Sequence, residues 1–349
     1  MMDFYVVKII ILSALAFIFS MALTPLLTHF LYKYKLGKKI RNAGDTPIFS
    51  ELHAHKAGTP TMGGILIWFT VLIFTLFFYF LSQILPIDLF KGLNFLSKKE
   101  TLLPLGALIA SALVGLFDDW LDVRGKGTKG GGGLKMRHRL AVYTIIAIIG
   151  ALWFYFRLDW STIHVPFLGN FEISWWYIPL FIFVLVATSF SVNETDGLDG
   201  LAGGTLLVSY ASYGVIAFSM GRYDLATFCG VVMGALLSFL WFNIAPARFY
   251  MGDTGSMSLG ITLGVIAFLT NNIFILPFIG FIFLIESLSV IIQLSSKKIR
   301  KKKVFLSAPI HHHFQALGWP ETKIVMRFWL IAAVVAFMGL AMFFLDKNF

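Results

Sequence analysis

The chain of 349 residues contains one cysteine, 13% charged residues and 18 acids, and each scarcity excludes something. Cys229 has no second cysteine to pair with, so neither a disulfide framework nor a paired-thiolate zinc module is open to the chain, and the redox compartment stays undecided. So little charge, set against 58% hydrophobic residues and a mean hydropathy of +0.82, excludes an ordinary soluble domain. No GxxxxGK[ST] loop and no HExxH helix is present, which removes a Walker nucleotide site and a zincin-type protease. No internal repeat of inverted topology, the mark of many transporters, is visible. The first apolar run, around Lys8, lacks a small-residue cleavage site and continues past Phe30. It is too long for a signal peptide and reads as a first membrane span.

What the sequence has in abundance is apolar length. Runs of about twenty apolar residues recur, the length a helix needs to cross a ~30 Å hydrocarbon core. They place spans at 5–32, 61–85, 102–119, 139–157, 173–190, 201–220, 225–243, 255–270, 276–295 and 323–345. The predicted fold is an all-α polytopic membrane protein of about ten transmembrane helices, a single integral-membrane domain over 1–349. Of the 28 Lys and Arg, 21 fall in the loops around 33–56, 124–139, 248 and 297–327, and 7 fall on the opposite side with the termini. By the positive-inside rule the richer side is cytoplasmic, and both termini face outward, to the periplasm. The net charge of +10 is then a topology signal first and an attraction for anionic lipid second. Nucleic acid finds no soluble basic domain to bind. The run Ser296–Lys303 reads as a helix-end anchor.

Against this background three acidic clusters stand at span ends. Glu194, Asp196 and Asp199 lie in one short polar stretch among Gly197, Gly200, Gly203 and Gly204, where the backbone can turn tightly or approach a ligand. Asp118 and Asp119 close the third span, and Asp253 opens the eighth within Met-Gly-Asp-Thr-Gly-Ser. All fall on the predicted cytoplasmic side, beside His311, His312 and His313 in another loop of that face. A single acid there need only cap a helix or balance a lysine. Three clusters with histidines argue for a site, and their interfacial depth favours chemistry at headgroup level over an ion path. Carboxylates from separate loops suit Mg²⁺, which takes oxygen ligands and keeps water and substrate phosphate in its shell, so the expected chemistry is phosphoryl transfer. The glycine-rich loop 124–134 offers cations to phosphate. Glu286 and Gln293 read as a buried hydrogen-bonded pair, and Gly230-x-x-x-Gly234 and Gly260-x-x-x-Gly264 as close helix contacts, within or between protomers. The outer loop 158–171 carries no assignable role.

These motifs resemble the phospho-N-acetylmuramoyl-pentapeptide transferase family (MraY) of the polyprenyl-phosphate N-acetylhexosamine-1-phosphate transferase superfamily, over nearly the whole length. The carriers are His53-x-x-Lys56-x-Gly58-Thr-Pro-Thr-Met-Gly-Gly64, Gly115-x-x-Asp118-Asp119, Asn193-x-Thr-Asp196-Gly-Leu-Asp199-Gly, Phe242-Asn243 with Met251-Gly-Asp253-Thr-Gly-Ser256, and Ala308-Pro-Ile-His311-His-His-Phe314. The resemblance implies an enzyme of the bacterial inner (cytoplasmic) membrane. It would transfer phospho-MurNAc-pentapeptide from UDP-MurNAc-pentapeptide to undecaprenyl phosphate with Mg²⁺, giving lipid I and UMP for peptidoglycan synthesis. A homodimer is left open. The acceptor phosphate, with a second pKa near 6, is largely ionised and needs positioning more than deprotonation. Cations must neutralise the charge that develops as phosphates meet.

On this reading Asp253 is the metal ligand. Asp118 serves the lipid phosphate as base or orienting group with Asp119 in support, an aspartyl-phosphate route staying open. Asn193, Asp196 and Asp199 meet ribose and uracil, Tyr250 stacks on the base, and Lys56, Thr59, Thr61 and Asn243 join the nucleotide and sugar site by resemblance. His312 is assigned to catalysis, with His311 and His313 toward pyrophosphate or sugar. Three positions depart from the family pattern: Phe190 where Asn is usual, Asp122 for Lys and Gln315 for Glu. The competing readings are a transferase using UDP-N-acetylglucosamine and, from another class, an ion-coupled transporter, for which Glu286 is thin support.

Overall fold

The computed structural model describes residues 2–37, 58–85, 87–98, 100–125 and 133–347. Its helices in chain order are α1 (Met2–Lys33), α2 (Ile65–Ile84), the short α3 (Asp88–Leu93), α4 (Leu102–Arg124), α5 (Met136–Arg157), α6 (Tyr177–Thr195), α7 (Leu201–Ser219), α8 (Tyr223–Asn243), α9 (Gly252–Leu269), the one-turn α10 (Leu276–Ile279), α11 (Phe281–Ile299), α12 (Ile310–Ala316) and α13 (Glu321–Asp346). Among the described residues nine helices are long and apolar enough to cross a bilayer, so the protein is a multi-pass membrane protein. The predicted ninth span, 276–295, is broken at Gly280 into α10 and α11. It falls short of the nine because α11 carries Glu286, Lys297 and Lys298. The topology still needs it as a tenth crossing. Tyr5 at the start of α1 stacks on Tyr223 at 4.0 Å, and Lys347 after α13 donates to the Ser219 carbonyl at 2.6 Å, so both chain ends lie at the 219–223 turn. Among the described residues an even number of crossings follows.

The core is organised around α9. Along α9 94% of the residues are buried, against 22% of the most apolar stretch of α1 and of α5, which identifies α9 as the inner helix. Small residues make this possible, because close approach and dispersion, rather than hydrophobic expulsion, hold helices together in lipid. A Cβ on Gly260 would lie 2.8 Å from the Ser189 backbone of α6, and one on Gly64 would lie 2.3 Å from Gly255. Two hydroxyls on α9 return to their own helix, Ser258 donating to the Thr254 carbonyl and Thr262 to the Ser258 carbonyl, both at 2.7 Å, while Thr254 donates across to the Ala112 carbonyl of α4 at 2.9 Å. The other small-residue pair, Gly230 and Gly234, seats α8 against Ile9 and Ser13 of α1. Both pairs thus serve contacts within one chain.

The outer loop does acquire structure. Residues Thr162–Val165 (β1) and Gly169–Glu172 (β2) form an antiparallel hairpin, a small exception to the all-helical expectation. His164 ties it down, its Nδ1 2.9 Å from Asn170 Oδ1 and its Nε2 2.5 Å from Asp346 Oδ2 at the end of α13.

Candidate active site

The opposite end of the bundle collects the acidic motifs, and the N-terminus of α9 is its centre. The first turn of any helix leaves backbone N–H donors without intrahelical partners. Here carboxylates from other helices supply the acceptors. Asp119, in the last two turns of α4, accepts from the Asp253 N–H through Oδ1 and the Thr254 N–H through Oδ2, each at 3.0 Å. Asp196 accepts from the Gly252 N–H at 3.1 Å. Gly252 has φ +73°, and a Cβ there would lie 2.5 Å from Asp119 Oδ2, so only glycine lets this carboxylate reach the turn. Gly115, one turn before Asp119, does the same for the helix pair: its Cβ would lie 2.3 Å from the Asp253 carbonyl oxygen.

The neighbouring acid faces a different partner. Asp118 Oδ2 lies 2.7 Å from Arg139 Nε, and its Oδ1 accepts from the Leu134 N–H at 2.5 Å. Arg139, in the first turn of α5, also places Nη2 2.8 Å from Asp253 Oδ2 and Nη1 3.4 Å from Asn193 Oδ1. Asn193 in turn donates its Nδ2 to Asp253 Oδ1 at 2.6 Å and to Ser256 Oγ at 2.9 Å. Asp118, Asp253 and Asn193, from α4, α9 and α6, therefore meet around one guanidinium. The donor set is two carboxylates and a carboxamide converging on a cation. It fits Mg²⁺, which is ordinarily held by one or two carboxylates, water and substrate phosphate oxygens.

Other expected residues build the walls. Asp199 accepts from the Ala247 N–H at 3.0 Å, and its own N–H donates to Glu321 at 2.6 Å. Asn243 accepts from the Gly200 N–H and donates to the Phe249 carbonyl, both at 2.9 Å. These two residues fasten the 196–200 turn to the 244–251 loop. Tyr250 is fixed through its backbone, its N–H donating to the Pro60 carbonyl and its carbonyl accepting from Gly63. Burial pushes its phenol well above the usual value, with the Thr59 hydroxyl working the other way, so it stays a neutral donor. Thr61 is buried with its hydroxyl 3.5 Å from Asp119. Lys56 lies outside the described residues.

The three histidines of α12 separate. His311 is fully buried, its Nδ1 2.9 Å from Glu286 Oε2, and its imidazole lies against Gly197, where a Cβ would meet Nε2 at 2.3 Å. His312 has Nδ1 2.7 Å from Gln315 Oε1. His313 accepts from the Leu306 N–H at 3.2 Å and faces the 300–309 connection instead. Glu286 and Gln293 do not pair with each other: Glu286 orients His311, and Gln293 bonds the backbone of Val304 and Phe305.

Arg139 is the residue a sequence reading passes over as one more loop cation, and Glu286 is the one it gives the wrong partner. Arg139 stands in a helix first turn, where a cation opposes the helix dipole, and that local conflict was its signal. The signal for Glu286 was a lone carboxylate in an apolar run.

A bundle of apolar helices with carboxylates, an amide and imidazoles gathered at one end defines a membrane protein with a polar centre at the end of its helices. Comparison with known proteins gives it a class. The model for glycosyl transferase family 4 matches residues 101–271, and the first phospho-N-acetylmuramoyl-pentapeptide-transferase signature matches 56–67. The phospho-N-acetylmuramoyl-pentapeptide-transferase of Chloroflexus aggregans is 37% identical over 348 residues, 96% of this chain and 89% of its own length. Its counterparts from Geobacillus thermodenitrificans and Geobacillus sp. strain WCH70 are 38% and 40% identical, covering 95% and 93% of this chain and 97% and 95% of theirs. The chain belongs to the phospho-N-acetylmuramoyl-pentapeptide-transferase family and is a membrane transferase of the glycosyl-1-phosphate class.

Proposed function

We propose that the protein transfers phospho-MurNAc-pentapeptide from UDP-MurNAc-pentapeptide to undecaprenyl phosphate in the bacterial inner membrane, giving lipid I and UMP, with the site on the cytoplasmic face. An oxygen of the acceptor phosphate attacks the sugar-side phosphorus of the pyrophosphate. The bond from that phosphorus to the bridging oxygen breaks, and UMP leaves with the electron pair. The observation that carries this reading is the meeting of Asp118, Asp253 and Asn193 around Arg139 at the end of three helices. Bound Mg²⁺ would neutralise developing phosphate charge there, with Asp253 and Asp118 as its protein ligands. Asp118 would serve the acceptor phosphate as base or orienting group. His312, whose Nδ1–H donates to Gln315 Oε1, keeps Nε2 for the substrate and donates to a pyrophosphate or sugar oxygen as the imidazolium. Asp119 takes no part in the chemistry beyond fixing the α9 terminus on which Asp253 stands.

The test is UMP release by purified protein with undecaprenyl phosphate, Mg²⁺ and either UDP-MurNAc-pentapeptide or UDP-N-acetylglucosamine. The muramoyl substrate should be favoured by about 10²-fold or more, as expected when a site is built around polar groups the smaller sugar lacks. Equal rates, or a preference for UDP-N-acetylglucosamine, would move the protein to another branch of the superfamily.

A further inference from the structure

Arg139 stands at the point where the two acids meet. Its side chain reaches Asp118 through Nε at 2.7 Å, Asp253 through Nη2 at 2.8 Å and the Asn193 carboxamide through Nη1 at 3.4 Å. Nothing in α5 itself favours a cation there. Arg139 lies in the first turn, where the positive end of the helix dipole opposes it, and Arg137 precedes it by two residues. The carboxylates hold it, and without it two acids 1% and 14% exposed at their side chains would face each other across the same space. A guanidinium is well suited to such a post. It bridges carboxylates through a planar fork and, once released, grips phosphate with the same geometry.

We infer that Arg139 is an internal counter-cation: it holds the position between Asp118 and Asp253 when no divalent ion is bound and yields it when one arrives, so that its guanidinium turns to the substrate phosphates. This inference rests on the Mg²⁺ reading given under the proposed function. Its consequence is a competition. The protein with an intact Arg139 binds a divalent ion more weakly than the same protein without it, because binding must break two charged contacts. A permanent structural ion pair would behave oppositely, since removing Arg139 would disorder the acids and weaken the ion's site.

The test uses the full-length protein in detergent and Mn²⁺ as the probe, its binding followed by electron paramagnetic resonance without any substrate. Arg139→Gln should bind Mn²⁺ about tenfold more tightly than wild type, the scale expected for removing one unit charge a few ångströms from the ion. Without metal its unfolding temperature should fall below that of wild type, and saturating Mn²⁺ should restore it. Arg139→Lys, which keeps the charge but lacks the planar fork, should lie between the two. Asp253→Asn fixes the site. Unchanged or weaker Mn²⁺ affinity in Arg139→Gln, with Asp253→Asn still abolishing binding, overturns the inference and leaves the metal reading intact. Binding that Asp253→Asn does not touch overturns the metal reading and this inference with it.

Discussion

Adjacent residues of one motif do different jobs. Asp118 and Asp119 are neighbours in sequence, yet Asp118 faces Arg139 while Asp119 accepts two backbone N–H groups at the start of α9. Asp119→Asn should therefore act first on the fold. It replaces a charged acceptor by an amide and weakens the cap, at a cost of about 1–2 kcal/mol, visible as a lower unfolding temperature in detergent. Full stability with lost turnover would instead give Asp119 a chemical role. The histidines divide in the same manner. His312 is held by Gln315, whereas His313 is spent on the Leu306 N–H. His312→Ala should lower turnover by about 10²-fold or more, and His313→Ala by no more than about twofold, measured as UMP release under saturating substrate. Equal losses would contradict the separation. Sequence could not divide these pairs, because the division depends on which helix end each side chain meets. It could and did mark the acids themselves, since carboxylates at the ends of apolar runs have few structural reasons to be there.

At the scale of elements, glycine governs the site. Gly115 lets α4 approach the first turn of α9 so closely that the Asp118–Asp119 pair reaches both Arg139 and the α9 N–H groups. Gly115→Ala should force the helices apart, with an overpacking cost of about 1–3 kcal/mol and a matching fall in turnover as Asp253 shifts. Unaltered stability and turnover would mean that the contact is not needed. The apolar runs made most of these helices legible, because a span must satisfy its own backbone hydrogen bonds and so must be long and helical. The 276–295 stretch was the exception. Its apolar length hid a break at Gly280 and a polar face on α11 whose partners, His311 and the backbone of Val304 and Phe305, come from the connection after it. The outer hairpin was invisible for a related reason: its anchor, Asp346, lies 182 residues from His164.

The whole molecule is an inner helix, α9, carried by a ring of apolar helices, with its N-terminus capped by the carboxylates of Asp119 and Asp196 and its other end facing the hairpin and both chain ends. Composition and the apolar runs marked the helices of this arrangement. The convergence of α4, α6 and α9 on Arg139 needed three-dimensional packing. That convergence is the proposed reaction centre, and Asp253 contacts both Arg139 and Asn193 within it. The decisive measurement is UMP release by Asp253→Asn, with undecaprenyl phosphate, UDP-MurNAc-pentapeptide and saturating Mg²⁺, on protein whose unfolding temperature matches wild type to within a few degrees. Turnover should fall by about 10²-fold or more, the loss expected when a group that stabilises developing phosphate charge is removed. Turnover above about a tenth of wild type, a loss of less than ~1.4 kcal/mol in the barrier, would contradict the assignment.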